Sequence, residues 1–148
     1  MHGPTAIRWL LGLTLVAICA TVLAQSRPPP AYVVIVDPNN PVTSVERKFL
    51  EETFLKKITR WPNDDAMHPA DLAPNSPVRR KFTEDVLNRS VEAVKGYWQQ
   101  RIFSGRDVPP PEFGSDQEVV DYVLKHAGAV GYVSGAAELG PARVLTVR

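Results

Sequence analysis

Few residues in this chain have types and spacing that could do chemistry. At Asn75-Ser76-Pro77-Val78-Arg79-Arg80 a side-chain amide, a hydroxyl and two guanidiniums gather around what reads as a helix start. A helix N-terminus exposes unpaired backbone N–H groups and a partial positive charge, so it favours an oxyanion. Ser76 would cap the helix and offer its hydroxyl, and Asn75 would offer its amide. Arg79, one turn in, could grip an oxyanion through two parallel hydrogen bonds. Thr43-Ser44 with Arg47 is a second, weaker version of the same arrangement. The competing reading of both segments is a well-capped helix with solvated arginines.

Other chemistry finds little support. His126 sits beside Gly128 at the end of an amphipathic stretch, where it complements a helix dipole. Met67-His68-Pro69 has no second ligand at helical spacing, so neither a metal nor a cofactor is expected. Asp64-Asp65 reads as a solvated turn. There is no Gly-x-Ser-x-Gly, phosphate-loop or dinucleotide signature, and catalysis is not expected. Trp61 and Trp98, with Tyr97 and Phe103, could form an aromatic platform, but Trp98 falls on an apolar stripe and reads as core. With 17 Lys+Arg against 16 Asp+Glu, the net charge of +1 argues against nucleic acid as a partner.

The N-terminus reads as a targeting segment. Arg8 is followed by an almost unbroken apolar run from Trp9 to Leu23, and Val22-Leu23-Ala24 suits cleavage before Gln25. The run is about 15 residues, short of the ~20 that cross a bilayer core, which favours a cleaved signal (residues 1–24) over a retained anchor. Ile18 before Cys19 is too bulky for a lipidation site. Cleavage removes Arg8 and Cys19. The remaining chain is charge-balanced, free of cysteine, and expected in the periplasm or secreted. Residues 25–31 form a Pro-rich linker and 32–148 a single domain.

The elements of that domain follow from periodicity and punctuation. Tyr32 to Val36 is a β-branched apolar run, as in a strand buried on both faces. Thr43 with Glu46 makes a capping box, predicting a helix whose stripe is Val45, Phe49, Leu50, Phe54 and Ile58. Ala66 to Leu72 is a weak extended stretch that Pro69 confines to an edge. Ser76-Pro77, Ser90 and the box Ser115/Glu118 start three further helices. In the second of these, Val91, Val94, Trp98 and Ile102 share a stripe. Pro109-Pro110-Pro111 stiffens the loop before the last helix, and 130–133 and 143–147 are two final strands. Alternating strands and helices predict an α/β fold with a short, mostly parallel sheet flanked by helices.

The order of these motifs resembles the periplasmic phosphate-binding proteins of ABC transporters. The resemblance rests on Val33 to Pro41 with its asparagine-proline turn, and on Phe54-Leu55-Lys56 followed by Trp61, with Lys57 departing from the pattern. It rests also on the serine-started helix at Asn75 to Phe82 and on Gly128-Ala129-Val130-Gly131-Tyr132-Val133. It implies a single lobe, the second, of a type II periplasmic-binding-protein fold over residues 32–148. It further implies phosphate or a similar oxyanion at Asn75, Ser76 and Arg79, with Thr43 and Ser44 as lesser candidates. Leu72, Pro77 and Val78 stand where the family has an arginine and a Gly-Thr pair, and Pro77 has no N–H to offer. Half a cleft implies weak binding unless a second lobe, a second copy or an envelope protein closes it. The alternative is an envelope interaction module that kept the fold and lost the ligand.

Overall fold

The computed structural model describes residues 27–148. The expected signal peptide, its expected cleavage site and Cys19 lie outside the described residues. The elements run β1 (Tyr32–Val36), β2 (Ser44–Val45), α1 (Arg47–Phe54), β3 (His68–Pro69), β4 (Asp71–Leu72), α2 (Pro77–Val86), α3 (Val91–Phe103), β5 (Glu112–Phe113), α4 (Asp116–Lys125), β6 (Ala129–Ser134) and β7 (Arg143–Val147).

Five strands form one sheet in the order β2-β7-β1-β6-β3, and β4 pairs with β5 in a second, two-stranded sheet. β1 is antiparallel to both β6 and β7, while β2 runs parallel to β7 and β3 parallel to β6. Four of the five strands therefore point one way, around a central reversed β1. The expected mostly parallel sheet is present, and its two longest ladders are the antiparallel ones through β1. Val34, Ile35 and Val36 are buried in the middle of the sheet, as a continuous apolar run requires. Pro69 lies on the edge strand β3, where its missing N–H costs no ladder bond.

One helix start differs from expectation. Thr43 does not cap α1: Ser44 and Val45 pair with Thr146 and Val147, and the helix begins at Arg47 with Glu46 as its N-cap residue. Thr43 accepts a bond from the Thr146 N–H, and Arg47 donates its N–H to the Arg148 carbonyl. Pairing with the end of the chain, about 100 residues away, outcompetes the local capping box. α1 is also shorter than its apolar stripe, since Lys56 takes a left-handed φ of 51° and turns the chain before Ile58.

The other caps form as read. Ser76, Ser90 and Ser115 each accept a backbone N–H three residues on. Glu118 reaches back to the Gly114 N–H at 2.7 Å. Trp61 is buried and donates its indole N–H to the Gly128 carbonyl at 2.8 Å, joining the loop after α1 to the turn before β6. Gly128 permits that turn: its φ is +79°, and a Cβ there would lie 2.1 Å from the Ala66 carbonyl oxygen. Trp98 belongs to the core, whereas Ile102, on the same predicted stripe, is exposed.

Candidate functional site

Asp71 is a carboxylate inside the core. β4 and β5 pair in parallel with Asp71 beside Glu112 and Leu72 beside Phe113, so strand register sets two acidic side chains next to each other. Arg79 projects from the buried face of α2, with Phe82, Thr83 and Val86, and is only 4% exposed. Its guanidinium lies 3.1 Å from Asp71 and 3.2 Å from Glu112, and it also donates to the Leu72 carbonyl. Tyr132 from β6 completes the cluster by donating its hydroxyl hydrogen to Asp71. The Leu72 N–H donates to Asp71 at 3.0 Å.

Aromatic packing fixes this geometry. The Tyr132 ring stacks on Phe82 with centroids 3.7 Å apart and planes within 7°, and Phe54 meets Phe82 edge-on at 4.9 Å. Such packing holds the Tyr132 hydroxyl against Asp71 with little rotational freedom.

The electrostatics follow from burial. Removal from water pushes the Asp71 carboxyl up to about 6, and Glu112 adds to that rise. Arg79 and the Tyr132 and Leu72 donors pull it back down only in part. Burial and the adjacent Asp71 raise the Tyr132 phenol, so it remains a proton donor across ordinary pH. One cation and two carboxylates leave the cluster neutral or negative, depending on whether Asp71 carries its proton.

A cavity of about 400 Å³ opens beside Arg79, with Pro74, Val91, Trp98, Ile102, Pro109 and Glu112 among its walls. Lys95 and Glu92 also line it, so its rim is charge-balanced. At the start of α2, Asn75 is exposed and Ser76 half-buried. Pro77 has no N–H, and the Arg79 N–H is taken by the Ser76 hydroxyl oxygen at 3.3 Å. The first turn is left with the Val78 N–H and the Ser76 hydroxyl hydrogen to offer a ligand.

Asn75, Ser76 and Arg79 thus share one helix end, but the Arg79 side chain faces the core carboxylates. Thr43 and Ser44 lie elsewhere: β2 is the opposite edge of the main sheet from β3, and the Ser44 hydroxyl accepts from Arg148. Arg47 donates to the Asp85 carbonyl at 2.7 Å. The two candidate segments are not brought together. Sequence reasoning missed Asp71, Glu112 and Tyr132. The available signal was a lone acid in the otherwise apolar Ala70-Asp71-Leu72, flanking a strand edge.

The fold is that of a single α/β lobe of the periplasmic-binding-protein type. Among solved structures, it is similar to a protein from Clostridium perfringens assigned as a phosphate ABC-transporter substrate-binding protein and solved with bound phosphate. That likeness has a TM-score of 0.63 and 18% identity, over 79% of this chain and 44% of that one. It is similar also to an ABC-type phosphate transport receptor from Vibrio cholerae, with a TM-score of 0.61 and 19% identity, over 79% and 46%. The third is PstS from Borrelia burgdorferi, with a TM-score of 0.60 and 15% identity, over 80% and 47%. The chain spans less than half the length of each. No family model and no curated protein matches the sequence. The expected resemblance holds at the level of the fold, one lobe's worth.

Proposed function

We propose that this chain is an exported, single-lobe relative of the periplasmic phosphate-binding proteins whose oxyanion seat is filled from within, and that it serves as an interaction module of the cell envelope. The observation that carries the reading is the state of Arg79, buried at 4% exposure with its guanidinium engaged by Asp71, Glu112 and the Leu72 carbonyl. Carboxylates here do what a bound oxyanion would do, and an incoming anion would meet the Glu112 carboxylate first. Displacing them would leave buried charge unpaired, a penalty of several kcal/mol. The missing N–H of Pro77 weakens the helix end further.

The rival reading keeps weak phosphate binding at Asn75, Ser76 and the Val78 N–H, favoured by the phosphate found in the Clostridium perfringens neighbour. A thermal-shift screen across phosphate, sulfate and molybdate separates the two. The module reading expects no anion-specific rise in melting temperature at millimolar concentration. A rise specific to one oxyanion, lost in Ser76→Ala, supports the rival, because a ligand of the folded state must stabilise it.

A further inference from the structure

The buried cluster is one cation short. With Asp71 ionised, the Arg79 guanidinium is a single positive charge set between two carboxylates, 3.1 Å from Asp71 and 3.2 Å from Glu112. Among the described residues, neither carboxylate makes an ion pair with any other cation. The elements packed on Asp71 supply no further charge. α2 brings Arg79, β5 brings Glu112, β6 brings the Tyr132 hydroxyl, and α4 buries Val119, Val120 and Val123.

The two carboxylates differ in access. The Asp71 side chain is 9% exposed and the Glu112 side chain 41%. Glu112 stands in the wall of the cavity beside Arg79, whose volume of about 400 Å³ falls in the small-molecule range of roughly 300–1,000 Å³. Arg79 engages Oε1 of Glu112, and no hydrogen bond engages Oε2 among the described residues. Val91, Trp98 and Ile102 of α3, with two prolines, make the walls largely apolar. Glu92 and Lys95, three residues apart on α3, offset each other in charge. A molecule in the cavity therefore meets apolar surface and one uncompensated negative charge.

We propose that this cavity takes a small organic cation, a primary ammonium on an apolar body. The ammonium would donate to the free oxygen of Glu112 and supply the missing positive charge, while the body packs along Trp98 and Ile102. An anion of the same shape would meet the excess negative charge, and a neutral analogue would leave it uncompensated. A proton on Asp71 answers the same deficit, so proton and ammonium compete. Burial and Glu112 push that carboxyl up to about 6, and the cation should bind more tightly as pH rises through this value. The inference rests on the oxyanion seat being filled from within. Phosphate titration tests that filling, and amine titration tests this site.

The probe is phenethylammonium, titrated into the full chain by isothermal calorimetry at about pH 7.5, where Asp71 is ionised. Phenethyl alcohol and hydrocinnamate serve as its neutral and anionic counterparts. The amine should give saturable one-to-one heat at millimolar concentration. The alcohol should bind at least roughly ten-fold more weakly, and hydrocinnamate should give no saturable heat. Glu112→Gln should weaken the amine at least roughly ten-fold while keeping a cooperative urea transition. At about pH 5 wild type should bind several-fold more weakly, and Asp71→Asn should bind weakly at both pH values. That comparison carries the test if Glu112→Gln fails to fold. Three results would overturn the inference: no saturable heat with the amine, equal affinity for amine and alcohol, or an amine affinity that neither Glu112→Gln nor the change in pH alters. Saturable heat with phosphate would instead overturn the filled seat.

Discussion

Replacing Asp71 by asparagine keeps the shape of the buried side chain and removes its charge. In the folded chain the Asp71 carboxyl titrates near 6, against an ordinary 3.8, because burial outweighs the help of Arg79 and Tyr132. The folded state therefore holds this proton more tightly than the unfolded state. The resulting stabilisation is fully present below the unfolded value and is lost as pH rises through the folded one. At about 1.4 kcal/mol per pH unit, the gap corresponds to about 3 kcal/mol. Taking the difference between wild type and Asp71→Asn at each pH isolates the contribution of Asp71. Urea unfolding can be followed through the buried Trp61 and Trp98. Wild type should gain about 3 kcal/mol on the variant between about pH 7 and pH 3.5. A difference that stays flat with pH, or that moves against wild type in acid, would refute the reasoning, since it would mean that Arg79 and the hydrogen-bond donors balance or outweigh burial.

Further changes probe the same architecture. Tyr132→Phe removes the hydroxyl donor to Asp71 while sparing the stack on Phe82, and should cost about 1–3 kcal/mol in urea unfolding. Gly131→Ala places a Cβ 2.6 Å from the Val119 side chain where α4 packs on β6, and overpacking should cost about 1–3 kcal/mol by the same assay. Ser76→Ala removes the cap of α2 and should cost about 1 kcal/mol, read as a lower urea midpoint.

Local signals made most of the fold legible. The apolar run at Tyr32 to Val36, the serines at 76, 90 and 115, and the glycine at 128 each act within a few residues of themselves, and each sits where the pattern implied. Thr43 illustrates the limit: its capping box is a sound local motif, but pairing with Thr146 and Val147 decides its conformation. The candidate site was legible only as a helix end. That Ser76 would cap followed from spacing; that the Arg79 side chain would turn inward did not. Its partners come from β4 and β5, up to 33 residues away, with Tyr132 of β6 holding Asp71 from the other side, and only the Asp71/Glu112 register and the Tyr132 stack bring them together. Phe82 and Val86 pack into the core from α2, and Arg79 shares their buried face because a paired guanidinium can be buried where a lone one cannot.

Isothermal titration calorimetry of the folded lobe with inorganic phosphate at neutral pH tests the central claim most directly. With Arg79 held by Asp71 and Glu112, the account predicts no saturable heat at millimolar phosphate. Saturable heat with one-to-one stoichiometry, abolished in Arg79→Ala or Ser76→Ala variants that remain folded, would contradict it and restore the oxyanion-binding reading.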